Sequence, residues 1–278
     1  MKLLDGKTLS TEIREDLARQ VAQRASDGKS IPCLATILVG QDPASETYVR
    51  MKVKACEQAG IRSIKREMPE TTTTDELLDE IQRLNANPDV HGILLQHPVP
   101  SQIDERACFD AIAIDKDVDG VTTQGYGLMS FGLPAYPSCT PAGIMRLMAH
   151  YGIDTKGKNA VVVGRSAILG RPLAALLIQA DATVTVCHSR TTDLERHLAQ
   201  ADLVFAACGK PAFVRGEWLK DGCVVIDAGY NKGNVGDAHF ESCAAKASAI
   251  TPVPGGVGPM TIAMLLAHTV QSAQSRDG

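Results

Sequence analysis

Lys158-Asn159-Ala160-Val161-Val162-Val163-Gly164-Arg165-Ser166-Ala167-Ile168-Leu169-Gly170-Arg171-Pro172 runs an apolar strand straight into a glycine turn and then a helix. That order places backbone N–H groups and a helix N-terminus where a pyrophosphate can sit. The match is not a strict G-x-G-x-x-G, because Ser166 stands in the place of the middle glycine, so taken alone the segment is as well read as a plain strand-turn-helix. It fails the Walker A pattern, since five residues separate Gly164 from Gly170, and it fails G-x-S-x-G, since Ile168 stands where the second glycine should be.

The next strand sharpens the reading. In a dinucleotide fold it ends roughly 20 residues beyond the glycine turn, with an acidic residue for the NAD ribose or with groups that accept the 2′-phosphate of NADP. Here that place reads Cys187-His188-Ser189-Arg190-Thr191, without a carboxylate. Ser189 can donate a hydrogen bond, and Arg165 and Arg190 can supply positive charge, so NADP is favoured over NAD.

Outward from this segment, short apolar runs alternate with helical patterns. Strands are expected near 159–163, 183–187, 202–207 and 223–227 in the second half and at 33–39, 61–66 and 90–96 in the first, where helices are expected near 43–59 and 74–86. Leu9, Ile13, Leu17 and Val21 recur every four residues and predict an amphipathic helix that Gly28 ends. The βαβαβ alternation argues for parallel sheets covered on both faces, and so for an α/β protein. Gly120 to Pro141 reads as a loop-rich stretch and the best domain boundary, followed by a helix near 141–151.

A chain of 278 residues suggests two domains. The net charge of −4, the scarcity of aromatics and the lack of a basic patch argue against nucleic acid as a partner. No apolar run approaches membrane-spanning length and the N-terminus lacks a signal-peptide core, so no membrane association and a cytoplasmic location are expected. The eight cysteines are never closer than fifteen positions and form no Cys-x-x-Cys, and the seven histidines show no paired-ligand spacing, so neither disulfides nor a metal are expected.

Asp42-Pro43-Ala44-Ser45 is a good helix start, with Asp42 as N-cap and Pro43 at N1, and Gly60 closes that helix. Tyr48, Lys52, Ala55 and Ala59 share one of its faces. A lysine beside an aromatic on an inward face would be desolvated, which disfavours the charged amine and makes Lys52 a usable general base; on an outward face it would be an ordinary solvated lysine. Gln96-His97-Pro98-Val99-Pro100 follows the strand at 90–95, at the end where open parallel sheets bind ligands, and Asp115-Lys116-Asp117-Val118-Asp119-Gly120 places carboxylates near the boundary. Thr251-Pro252-Val253-Pro254-Gly255-Gly256-Val257-Gly258-Pro259-Met260-Thr261 packs three prolines and three glycines ahead of an apolar helix, and suits either a stiff interdomain turn or the wall of a flat-ligand site.

Tyr48-x-x-x-Lys52 with Lys54-Ala55-Cys56-Glu57, Gln96-x-Pro-x-Pro, Lys116-Asp117-Val118-Asp119-Gly120, Cys139-Thr140-Pro141, Val163-Gly164-Arg165-Ser166, Cys187-His188-Ser189 and the 251–261 run occur in order over nearly the whole chain. Together they resemble the bifunctional methylenetetrahydrofolate dehydrogenase/methenyltetrahydrofolate cyclohydrolase family. The resemblance implies a folate-binding catalytic domain over 1–120, an NADP-binding Rossmann-like domain over 121–278, a cleft between them, and a C-terminal helix near 260–275 that packs back on the first domain. It implies Lys52 as the catalytic lysine, Gln96 as its hydrogen-bonding partner, Tyr48 as a ring stacking on the folate and Asp119 as the carboxylate anchoring the pterin. Pro254, Gly255, Gly256 and Pro259 would line the folate site, and Gly164, Arg165, Ser166, Ser189 and the backbone near Tyr230 would contact NADP. It also implies a homodimer. His97, Val121-Thr122 and Tyr230 depart from the family's commoner residues and bear on substrate affinity and cofactor packing. An NADP oxidoreductase of another kind, such as a shikimate-type dehydrogenase, would explain the second half alone, and a non-catalytic nucleotide sensor would leave Lys52 without a role.

Overall fold

The computed structural model describes residues 1–277, the side chain of Ala44 excepted. In chain order the elements are β1 (Lys2–Leu3), α1 (Gly6–Ser26), β2 (Cys33–Val39), α2 (Pro43–Gln58), β3 (Arg62–Met68), α3 (Thr74–Ala86), β4 (Gly92–Leu95), α4 (Glu105–Asp110), α5 (Thr123–Ser130), α6 (Cys139–His150), β5 (Asn159–Val163), α7 (Gly170–Gln179), β6 (Thr183–Cys187), α8 (Leu194–Leu198), β7 (Leu203–Ala206), β8 (Val224–Asp227), α9 (Phe240–Ala244), β9 (Ala249–Ile250) and α10 (Val257–Gln274). The chain divides into two units, one made of Met1–Ser10 with Ser138–Thr261, the other of Thr11–Pro137 with the chain from Ile262 onward.

The second of these units is built on a parallel three-stranded sheet in the order β3-β2-β4. All seven residues of β2 are buried, as expected of a central strand covered on both faces. Its neighbour β3 is polar along most of its length, which keeps an edge strand from pairing with other chains. A capping box starts α3: Glu76 N donates to the Thr73 hydroxyl, and Thr73 N donates to the Glu76 carboxylate. Leu77, Ile81 and Leu84 of that helix then bury one face against Ala35, Ile37, Ile93 and Leu95. On α2, Ser45 N donates to Asp42 Oδ2 at 2.8 Å, with Pro43 at the first turn, which is the start the sequence predicts.

The other unit carries a six-stranded parallel sheet in the order β1-β9-β8-β7-β5-β6. The chain passes from β5 to β6 on one side and then to β7 on the other, so the order reverses at β5 and opens a crevice at the C-terminal ends of these strands. Val161, Val163, Val204, Val225 and Ile250 contribute to its core.

The two units divide between Pro137 and Ser138, inside the loop-rich Gly120–Pro141 stretch; Met1–Ser10 groups with the later unit, and the chain from Ile262 groups with the earlier one. The stretch from 120 also contains α5, which the glycines obscured. Gly125 is no loop residue there: a Cβ would come within 2.9 Å of both Asp117 Oδ2 and Thr122 Oγ1, so its missing side chain serves close packing. The two-residue strands β1 and β9 carry too short a run for periodicity to reveal.

Candidate active site

Lys52 lies in α2 and Gln96 at the end of β4, and Lys52 Nζ donates to Gln96 Oε1 at 3.0 Å. Both side chains are buried, at 8% exposure each. Gln96 is itself held, because its Nε2 donates to His97 O at 2.6 Å, which fixes which end of the amide faces the amine. His97 Nδ1 donates to Glu105 Oε1 at 2.6 Å, and Val99 N donates to the same oxygen at 3.3 Å, bracing the turn after β4. Tyr48 stands one turn before Lys52 on α2 and is half-buried. The inward reading of this helix face therefore holds for Lys52.

The three charged residues of the 116–119 segment have different surroundings. Lys116 Nζ donates to the carbonyls of Leu84, Asn85 and Asn87, satisfying the last turn of α3 from outside the helix. Burial lowers its pKa. Asp117 is fully buried, accepts from Val121 N and Thr122 N at 3.0 Å each, and burial pushes its pKa up to about 6 despite those bonds. Asp119 alone is half-buried, with a surface open to a ligand.

In the other unit, the 251–261 run is shaped by close backbone approaches. Gly255 has φ +105°, a conformation that strains any residue with a Cβ. A Cβ on Gly256 would lie 2.6 Å from Pro252 O, and Lys7 N donates to Gly255 O at 2.8 Å. Pro254 is exposed, whereas Gly255 and Pro259 are half-buried. Gly6 was not singled out from sequence, yet a Cβ there would fall 1.9 Å from Gly256 O; nothing in an isolated glycine near a terminus signals such a contact.

Gly164, Arg165, Ser166 and Ser189 line one open cavity of ≈ 530 Å³ at the end of β5. Gly164 has φ +141°, and a Cβ on it would lie 1.9 Å from Ala207 O. A Cβ on Gly170 would lie 2.2 Å from Gly164 O, so this glycine lets α7 begin against the turn. Cavity size, glycine turn and cationic side chains fit a dinucleotide. Sequence reasoning missed Lys210, Phe213 and Trp218 in the same cavity; Lys210 Nζ sits 5.0 Å from the Phe213 ring centroid, and the two rings meet edge-on. Tyr230 is not among the residues lining this cavity, and its hydroxyl donates to Asn234 Oδ1 at 2.7 Å.

Two buried carboxylates, also missed, organise the loops after β7 and β8. Asp237 Oδ2 accepts from Cys208 N and Gly209 N at 2.6 and 2.7 Å, while Asp227 accepts from the backbone N–H groups of Gly229, Asp237 and Ala238. Burial pushes Asp227 up to about 6. All eight cysteines are free thiols, and burial pushes Cys208, in the cavity wall, up to about 11. Among the described residues no cluster of His, Cys, Asp or Glu could hold a metal ion, and no helix is long and apolar enough to cross a membrane.

Residues 4–119 match the family model for the catalytic domain of tetrahydrofolate dehydrogenase/cyclohydrolase, and residues 138–277 match that for its NAD(P)-binding domain. The chain is 60% identical to the bifunctional protein FolD of Shouchella clausii (strain KSM-K16) over 272 residues, covering 98% of this chain and 97% of the relative. The crystal structure of the bifunctional FolD dehydrogenase/cyclohydrolase from Campylobacter jejuni is 47% identical, with a TM-score of 0.97 over 99% of both chains. That of the Trypanosoma brucei dehydrogenase-cyclohydrolase, complexed with NADP and an inhibitor, is 37% identical with a TM-score of 0.93, covering 98% of this chain and 97% of that one.

Proposed function

Because the chain belongs to the tetrahydrofolate dehydrogenase/cyclohydrolase family, we propose that it oxidises 5,10-methylenetetrahydrofolate with NADP+ and hydrolyses the 5,10-methenyl product to 10-formyltetrahydrofolate. The observation that carries this reading is the buried Lys52–Gln96 pair at the C-terminal end of a parallel sheet. A nucleotide sensor without catalysis gives that pair no task.

Gly164, Arg165, Ser166 and Ser189 would hold the NADP, which when bound supplies the hydride acceptor. Hydride leaves a carbon flanked by two nitrogens whose lone pairs stabilise the resulting cation, so the protein's part in this step is positioning. Tyr48 stacks on the folate, and Asp119 accepts paired hydrogen bonds from the pterin. Water must next add to the methenyl carbon, and neutral Lys52 takes its proton as general base. Gln96 cannot titrate, so it orients the amine without adding charge. A homodimeric state and a cytoplasmic location are part of this proposal, and the family resemblance supports them.

A turnover assay with methylenetetrahydrofolate, with NADP+ and NAD+ in parallel, tests the reading. NADPH production supports it, and no turnover with either cofactor refutes it.

A further inference from the structure

His268, Ser272 and Arg276 follow one another at four-residue intervals along and just beyond α10, so they project from one face. All three hold the 3₁₀ turn (Ile114–Lys116) and the residues after it that lead to Asp119. Arg276 Nη2 donates to Asp115 Oδ2 at 2.9 Å, Ser272 Oγ lies 2.9 Å from Asp115 O and donates to His91 O at 2.6 Å, and His268 Nδ1 lies 2.8 Å from Val118 O. A carbonyl oxygen only accepts, so the ring carries its proton on Nδ1. The ring is buried at 4% exposure and packs on Tyr136, with centroids 5.3 Å apart.

The Val118 carbonyl belongs to the same planar peptide unit as the amide nitrogen and Cα of Asp119. Fixing that oxygen fixes where the Asp119 side chain starts. On the other side Val118 packs flush against Gly92, where a Cβ would lie 2.5 Å from Val118 Cγ2. Lys116 and Asp117 are already tied to α3 and to the 121–122 backbone, and Gly120 N donates to Asp117 O at 3.1 Å, so the 118–119 peptide is the central plane of a turn anchored at both ends.

We infer that His268 is a positioning residue for folate binding, presenting the Asp119 carboxylate by holding the 118–119 peptide plane. The inference rests on the reading of Asp119 as the pterin anchor. His268→Leu removes the donor, whereas His268→Asn places an amide N–H where Nδ1 stood.

The test measures steady-state constants for His268→Leu, His268→Asn and Asp119→Asn, with thermal melts alongside. His268→Leu should raise the KM for methylenetetrahydrofolate about tenfold, as expected for one buried hydrogen bond, with the KM for NADP unchanged. His268→Asn should bring the folate KM back to near wild type. Equal effects of Leu and Asn, or a parallel rise in the KM for NADP, would overturn the inference. Should the leucine variant fail to fold, His268→Gln takes its place, because its amide reaches the position of Nε2 instead; a Gln variant as good as the Asn variant would also overturn it. If Asp119→Asn leaves the folate KM unchanged, the reading of Asp119 fails; if Asp119→Asn raises it and His268→Leu does not, the positioning role alone fails.

Discussion

Lys52 Nζ lies 3.0 Å from Gln96 Oε1, although the two residues are 44 positions apart in the chain, and both side chains are buried. A lysine on a helix surface normally extends into water; this one is held inward by an amide that cannot take its proton. Gln96→Leu removes the oriented acceptor while keeping similar bulk. The cyclohydrolase rate should fall by about tenfold to a hundredfold, measured as hydrolysis of added methenyltetrahydrofolate. A rate within twofold of wild type would show that the amine needs no such partner.

Lys116 should matter to stability instead of chemistry. Lys116→Met leaves the carbonyls of Leu84, Asn85 and Asn87 without their common donor, at a cost of about 3 kcal/mol. Urea denaturation should show the midpoint lowered, with the slope unchanged.

Arg165→Ala should narrow the preference for NADP over NAD by about tenfold or more, the worth of one charge-assisted hydrogen bond. Equal losses in kcat/KM with both cofactors would show that Arg165 does not read the 2′-phosphate.

His91 makes stability depend on pH. Its Nδ1 accepts from Cys33 N at 3.1 Å, and burial pushes its pKa from 6.5 down to about 4. Between those values the unfolded chain binds a proton that the folded chain refuses, so this group's contribution is lost as pH falls from 6.5 toward 4. Asp117 and Asp227, raised to about 6, act oppositely, since the folded chain holds their protons longer and their contribution is lost as pH rises toward 6. The clean readout is therefore the difference between wild type and His91→Phe. The variant should be destabilised by about 1–3 kcal/mol at pH 7 through the unpaired Cys33 amide, and by less at pH 4.5, in urea melts.

What was legible in the sequence follows physical lines. The strands β2 and β5 were readable because a long apolar run and a β-turn-α step are local signals. The inward face of α2 was visible as a spacing, but that Lys52 is buried depends on Gln96, which no local pattern connects to it. Asp119 was distinguishable from Asp117 only through the family resemblance; burial and backbone bonding now separate them. Asp227, Asp237 and Lys210 went unread, because carboxylates that gather backbone amides from the loops after β7 and β8 and a lysine over a ring have no sequence period. The helix α5 was hidden inside the loop-rich 120–141 stretch because Gly125, which serves packing there, looks like a loop glycine.

The central claim is that Lys52 is the base of the hydrolytic step and dispensable for hydride positioning. Lys52→Met should be given methylenetetrahydrofolate and NADP+, with NADPH and methenyl product followed together. The account predicts methenyltetrahydrofolate accumulating in step with NADPH, whereas wild type forms NADPH without methenyl build-up. NADPH formed by the variant with no methenyl build-up would contradict it.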